Sequence, residues 1–401
     1  MKILYLAKVL SNATYIEVSN NNPNICGQAA QKFHRLIIEG LTYNHSSITV
    51  LSAFNYFQTR LFNYHAEDNK NNVKYHYILS PKNKFLRFIW IPLYCFFYLF
   101  IWGMFDRKEK VLICDVLNVV SCMGALLAGR LLKIKCIGIM TDMPGKMVSR
   151  RKQGKYDGII NSINTFFNKM YLRYFTHYVF LSKQMNDKVN IDRKPYIVME
   201  GLVEAKVLQT KKVRKNILSK NKDNSKIVLY AGGLHERYGL KILVEGFLQA
   251  NIDNSELWLY GDGPFVENLK YYMIQDSRIK YMGICPNDIV INAEKNATLL
   301  VNPRPTNEEF TLYSFPSKNL EYMASGTPLL TTLLPSMPKE YLEYVFIFNM
   351  GETINGYSSV LKNVLSIPKN ELQLKGIKAK YWVEKNKNNI IQTKRILDII
   401  R

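Results

Sequence analysis

The chain has no Cys-x-x-Cys pair, no histidine cluster and no Asp-x-Asp motif. Its six cysteines, Cys26, Cys95, Cys114, Cys122, Cys136 and Cys285, are scattered, mostly within apolar runs. That pattern disfavours a disulfide framework or a zinc site and fits buried thiols in a reducing compartment. The opening "MKILYLAKVL" lacks a long apolar core and a cleavage site, so it reads as a first β-strand rather than a secretory leader. No internal repeat recurs at solenoid spacing. No helix-turn-helix, RNA-recognition or zinc signature is visible, so nucleic acid is not an expected partner. Acidic side chains are scarce, 32 against 54 Lys and Arg, which leaves a net charge of +22. Such an excess attracts anions, although a lysine-rich solvated surface would give the same number.

The 401 residues exceed what one hydrophobic core supports, about 250–300, so two domains are expected. The hydrophobic content of 47% is ordinary for a globular chain. From Phe88 to Phe105, "FIWIPLYCFFYLFIWGMF" carries no charge, with Lys82, Lys84 and Arg87 before it and Asp106, Arg107 and Lys108 after. Three readings stay open for it: a helix packed in an α/β domain, a helix lying in a membrane interface, and a short span.

Short apolar runs alternate with helical patterns in the N-terminal half. Strands are expected at Lys2–Leu6, Ile48–Ser52, Val73–Ile78, Val111–Cys114, Ile134–Met140, Tyr178–Leu181 and Tyr196–Met199, with helices such as Ala29–Leu41, Val119–Leu132 and Ile159–Phe175 between them. Residues Ala205–Lys226 are basic and poor in apolar side chains, as a linker would be. A second series follows, with strands at Ile227–Ala231, Leu257–Tyr260, Ile279–Met282, Ala297–Val301, Leu329–Leu333 and Val345–Phe348 and a helix over Leu240–Ala250. Tyr381–Arg401 reads as one basic amphipathic helix. The fold class is thus α/β, two Rossmann-like doubly wound domains facing a cleft at the carboxyl ends of their sheets.

Three stretches of the second series could carry chemistry. In "YAGGLHERYGL", Gly232 and Gly233 end a strand before a helix, which suits either a plain tight turn or close approach to an anion. "LYGDGP", with Gly261, is explained equally by a strand-to-helix turn. "YSFPSKNLEYMASGTP", Tyr313 to Pro328, reads as a helix capped by Ser314 or Ser317, with Pro316 in its first turn and Gly326 as its stop. Lys318 and Glu321 share a face of it. The helix start and Lys318 suit a diphosphate, and Glu321 suits vicinal ribose hydroxyls; a surface Lys–Glu pair is the alternative.

Taken in order with "LLVNPRP", these stretches resemble the nucleotide-sugar-binding segment of retaining GT-B glycosyltransferases. The likeness is greatest to the glycosyl group-1 transferases and their bacterial surface-polysaccharide members. It is strong over residues 225–335 and weaker through "CGQAAQKFHRL" and "IGIMTDMPG" in the N-terminal half. The resemblance implies sugar transfer, with retention, from a nucleotide-sugar, a UDP-sugar first, to a lipid-linked glycan or polysaccharide acceptor. It implies no metal and no cofactor beyond that co-substrate. Glu321 matches the second Glu of the family's Glu-(seven residues)-Glu motif, assigned to the ribose, while Tyr313 stands where the first Glu contacts the sugar. The Arg and Lys that relatives place on the diphosphate fall at Gly233 and Tyr238 here, which leaves Lys318 first, then Arg237 and Arg304, as replacements. Asp142 matches the region where relatives hold a His or Asp near the reacting sugar. Gly27 matches a loop that approaches the donor phosphates. The expected division is an acceptor domain 1–200, a linker 201–225, a donor domain 226–375 and a C-terminal helix 376–401 returning to the first domain. The basic run Lys146–Lys155 and the aromatic segment suggest a cytoplasmic protein held peripherally on anionic lipid. The sequence leaves the oligomeric state open. An inactive partner subunit of the same fold and a basic nucleic-acid-binding protein are the alternative functions.

Overall fold

The computed structural model describes residues 1–21, 28–44, 47–53, 65–68, 73–105, 108–143, 170–205 and 225–400. Gly27, the basic run 146–155, residues 159–169 of one expected helix and linker residues 206–224 lie outside the described residues. The chain divides into two compact units, Met1–Leu202 with Asn389–Arg401, and Val203–Asn388.

Unit 1 is built on strands β1 (Lys2–Ala7), β2 (Ile48–Ser52), β3 (His65–Asp68), β4 (Val73–Tyr77), β5 (Lys110–Asp115), β6 (Lys135–Met140), β7 (His177–Phe180) and β8 (Tyr196–Val198). They lie in the order β3-β4-β2-β1-β5-β6-β7-β8. Every pairing is parallel except β3 with β4. A parallel sheet is covered on both faces, so its central strands must be apolar on both sides. In β1, Ile3 to Ala7 are all buried, and so are Val111 to Asp115 in β5. Helices α1 (Asn12–Asn21), α2 (Gln28–Asn44), α3 (Lys84–Met104), α4 (Val119–Leu131) and α5 (Lys183–Val189) connect the strands.

Helix α3 is the apolar segment singled out in the sequence. It connects β4 to β5 and runs through Pro92 without a break. Asn83 starts it, its Oδ1 accepting from the Phe85 and Leu86 amides at 2.8 and 3.3 Å. Gly124 of α4 permits the close crossing of α3 and α4, because a Cβ there would lie 1.8 Å from the Pro92 carbonyl oxygen. Only one strip of α3, Ile91, Cys95 and Leu99, is buried.

Unit 2 holds β9 (Lys226–Ala231), β10 (Ser255–Tyr260), β11 (Ile279–Gly283), β12 (Leu299–Asn302), β13 (Leu329–Thr331) and β14 (Phe346–Ile347). All are parallel, in the order β11-β10-β9-β12-β13-β14. Numbered from its first strand this is 3-2-1-4-5-6, the doubly wound order whose direction reverses between β9 and β12. Its helices are α6 (Leu240–Ala250), α7 (Val266–Gln275), α8 (Asn287–Asn296), α9 (Phe310–Tyr313), α10 (Ser317–Ser325), α11 (Ile354–Leu365) and α12 (Lys369–Asn386).

The C-terminal segment differs from the single helix expected over Tyr381–Arg401. Helix α12 ends at Asn386, and α13 (Asn389–Asp398) begins after a two-residue break. Lys387 in the break is buried, its ammonium 2.7 Å from Glu340 Oε1, and its carbonyl accepts from the Val203 amide at 3.0 Å. A helix cannot pass through a residue whose backbone is committed to another chain segment. Helix α13 belongs to unit 1, where Asn389 donates to the Leu36 carbonyl at 3.2 Å and Arg395 to the Val198 carbonyl at 3.0 Å.

Candidate active site

The loops that follow β9 and β12 border the crevice in which doubly wound sheets receive ligands. The glycines there have a packing reason. Gly261 has φ +125°, and a Cβ on it would lie 1.9 Å from the Gly232 carbonyl oxygen. The loop after β9 and the turn after β10 therefore touch backbone to backbone, joined by the Gly232 amide bonding to the Tyr260 carbonyl at 3.0 Å. Tyr230 braces the same loop through its hydroxyl, which donates to the Gly233 carbonyl at 3.0 Å. Burial pushes the Tyr230 phenol up to about 12, with the Arg304 charge opposing.

Two arginines converge above this floor. Arg237 lies on the 3-10 turn Glu236–Tyr238 after β9, and Arg304 on the loop after β12. Both guanidinium groups lie over the Phe310 ring, at 4.5 Å for Arg237 and 5.8 Å for Arg304. Arg304 also sits over Tyr238 at 4.8 Å. Burial, eased by Tyr230 and Tyr238 and worsened by Arg237, pulls the Arg304 guanidinium below its usual range. Glu308 approaches Arg237 only to 3.9 Å, and Arg237 Nε is buried without a hydrogen-bond partner. Two adjacent like charges, one with an orphaned buried donor, form a site that an anion completes.

Helix α10 is anchored to the end of β12, two residues before Arg304. Asn302 at the end of β12 donates to Asn319 Oδ1 at 2.6 Å, and Thr331 of β13 donates to the Asn302 carbonyl at 3.0 Å. The buried Tyr322 hydroxyl accepts from the Ala231 amide at 2.7 Å and donates to the Ala231 carbonyl at 3.0 Å, tying α10 to the end of β9. We expect Tyr322→Phe to lose about 1–3 kcal/mol in urea unfolding, because both backbone groups at the end of a buried strand then lack a partner.

The serine cap expected for α10 is absent. Ser314 donates back to the Phe310 carbonyl at 3.0 Å, Ser317 is the first helical residue, and Pro316 occupies the cap position with no side-chain hydrogen bond. A helix start without a side-chain cap keeps its positive dipole end open to an anion. Lys318 and Glu321 do share a face, but they bond to each other at 2.9 Å. Buried Glu294 of α8 lies 3.4 Å from the same ammonium. Burial pulls the Lys318 ammonium down, and the two carboxylates more than offset it, holding it above its usual range. With two carboxylates already on Lys318, Arg304 and Arg237 rank ahead of it as diphosphate cations.

Tyr313 is half-buried on α9, one turn after Phe310. Asp142, two residues past β6 in unit 1, is half-buried, and its Oδ1 accepts from the Met143 amide at 2.8 Å. Burial raises its carboxyl above the usual range, with that amide opposing. The aromatic platform of Tyr238 and Phe310, the Asn302–Asn319 link and the Tyr322 clasp escaped the sequence reading.

Residues 225–349 match the family model described as glycosyl transferases group 1, a span that contains every unit 2 residue named above from Tyr230 to Thr331. Unit 2 therefore holds a stretch similar to a group 1 glycosyl transferase domain. Solved structures resemble the whole chain. The sucrose-phosphate synthase of Thermosynechococcus elongatus matches at a TM-score of 0.67 and 13% identity, over 100% of this chain and 99% of its own. WaaB, a lipopolysaccharide outer core galactosyltransferase, matches at 0.62 and 16%, over 100% and 99%. Anabaena HepE in complex with UDP-glucose matches at 0.59 and 12%, again over 100% and 99%. At such identities the likeness establishes the fold, which is the GT-B fold of glycosyltransferases. No protein of curated function matches the chain. The group 1 domain and the GT-B fold together support a glycosyltransferase.

Proposed function

We propose that the protein transfers a sugar from a nucleotide-diphosphate donor, a UDP-sugar first, to a lipid-linked or polysaccharide acceptor, with retention, in surface-polysaccharide synthesis. The observation that carries this reading is the Arg237–Arg304 pair at the sheet's switch point, with its orphaned Nε–H, inside a group 1 glycosyl transferase domain. That HepE binds UDP-glucose and WaaB transfers galactose to lipopolysaccharide supports the donor and acceptor classes.

In this reaction the bond from the anomeric carbon to the diphosphate oxygen breaks, and both its electrons leave with the phosphate. Arg304, Arg237 and the start of α10 meet that growing charge as fixed dipoles and cations, the work a metal ion does in other transferases. The sugar passes through an oxocarbenium-like state. The acceptor hydroxyl bonds to the same face, and its proton goes to the departing phosphate oxygen. Glu321, oriented by Lys318, accepts from the ribose hydroxyls. Tyr313 faces the sugar in place of a carboxylate.

A panel of nucleotide-sugars read by thermal shift tests the donor. At a hundredfold excess over the dissociation constant, a ligand stabilises the native state by about 2.7 kcal/mol. A panel with no shift, and no product in transfer assays, overturns the reading. Glu321→Ala should weaken nucleoside diphosphate binding about tenfold, the cost of roughly one charge-assisted hydrogen bond, while the free protein keeps its fold and loses only the stability of its pair with Lys318. Calorimetry showing unchanged affinity removes Glu321 from the site.

A further inference from the structure

Helix α3 exposes an unbroken apolar face. Leu93, Phe97 and Ile101 are 49%, 57% and 54% exposed, while Ile91, Cys95 and Leu99 on the opposite strip are 5%, 0% and 0% exposed. Leu86, Trp90 and Met104 extend the face toward both ends. Their spacing of three and four residues keeps them on one side of the helix. A packed core helix would bury such a face. The helix is long and apolar enough to cross a bilayer, but it connects two strands of one sheet by short segments, 78–83 and 105–109, and is pressed onto α4 at Gly124. Both ends are therefore held to the same domain, so the helix lies along a surface.

The surroundings identify that surface. Lys82 and Lys108 are exposed before and after the helix. Lys110 donates to the Gly103 carbonyl at 2.6 Å and sits over Trp102 at 5.9 Å. Arg130 of α4 is exposed and sits over Tyr174 at 5.0 Å. Glu109, the one acidic neighbour among the described flanking residues 78–87 and 105–110, pairs with Lys135 at 3.2 Å. Cations at both ends mean that a second copy of the chain, docked parallel or antiparallel, would bring like charges together. An anionic lipid surface meets the same cations with opposite charge. Tyr94, Tyr98 and Trp102, half-buried along one border of the face, are side chains that favour headgroup depth.

We propose that α3 lies flat in the interface of an anionic membrane, with Leu86, Trp90, Leu93, Phe97, Ile101 and Met104 entering the acyl boundary and the flanking lysines contacting lipid phosphates. Because a helix that follows a strand starts at that strand's carboxyl end, its Arg87 end lies at the edge of the sheet where α/β domains take up ligands. Lys8 follows the last residue of β1, Ala7, at that same edge. The docked surface therefore borders the ligand-binding edge of unit 1.

Co-sedimentation with vesicles of phosphatidylglycerol and phosphatidylcholine, and with phosphatidylcholine alone, tests the proposal. Wild-type protein should sediment with the anionic vesicles and release as salt rises. Phe97→Glu and Ile101→Glu change exposed side chains, so circular dichroism and nucleoside diphosphate affinity should stay as they were while vesicle affinity falls at least tenfold. Equal sedimentation of wild type and variants overturns the proposal, as does absence of vesicle binding. A concentration-dependent dimer that Phe97→Glu abolishes, without vesicle binding, assigns the face to a second copy instead. Since donor affinity is measured on the same variants, failure here leaves the transferase reading standing.

Discussion

Arg304→Ala should raise the dissociation constant for a nucleoside diphosphate by roughly ten- to a hundredfold, the loss of about 1.5–3 kcal/mol in charge-assisted hydrogen bonds. The same substitution should cost the free protein no more than its aromatic contacts. Burial is the main cause that depresses the Arg304 guanidinium, and the Arg237 charge adds a smaller repulsion. Removing one member relieves that repulsion. Its structural ties are small: two aromatic contacts, about 0.5–2 kcal/mol each, and a backbone carbonyl that accepts from Thr332 and survives the change to alanine. Arg304→Lys keeps the charge but loses the planar fork and the stack on Tyr238, so its affinity should fall between the two. Isothermal calorimetry beside urea unfolding separates the effects. Unchanged affinity in Arg304→Ala would remove the residue from the donor site. A large loss of stability would make it a packing residue.

Much of this architecture could be read in the sequence, because the central strands are buried on both faces and so appear as uninterrupted apolar runs. Helix α6 lies at Leu240–Ala250 as its apolar spacing indicated. Strand β3 was missed: it pairs antiparallel at the edge of its sheet, and "HAED" has no apolar pattern to betray it. Helix α8 was missed for a related reason, since it buries a single side chain, Glu294. In the site, the motif order pointed to loops that follow β9, β10 and β12, but the surroundings of each cation could not be read from it. The Lys318–Glu321 pair was open as an alternative from their spacing, but the second partner, Glu294, comes from another helix and leaves no local signal. Arg304 looked secondary because its platform, Tyr238 and Phe310, comes from two separate loops. Tyr238 stands where the resemblance places a lysine. In this chain its ring holds the Arg304 guanidinium, from the loop after β12, and we propose that this is the cation relocated rather than lost.

That relocation depends on how closely the two loops approach, and one glycine measures it. Gly239 follows Tyr238 and has φ +81°, and a Cβ on it would lie 1.9 Å from the carbonyl oxygen of Pro303, the residue before Arg304. Gly351 has the same φ of +81° but nothing within 4 Å of its Cβ position. Alanine at either position bears the strain of left-handed backbone, about 1–2 kcal/mol. At Gly351 that strain is the whole effect, and nucleoside diphosphate affinity should not change. At Gly239 the methyl group also wedges apart the two segments that carry Arg237 and Arg304. Gly239→Ala should therefore cost about 3 kcal/mol or more in urea unfolding and weaken the nucleoside diphosphate more than tenfold. Equal stability losses in the two variants would mean that the loops yield easily to one another. A normal affinity in Gly239→Ala would mean that the arginines need no fixed spacing to hold a diphosphate, and the site would then rest on charge alone.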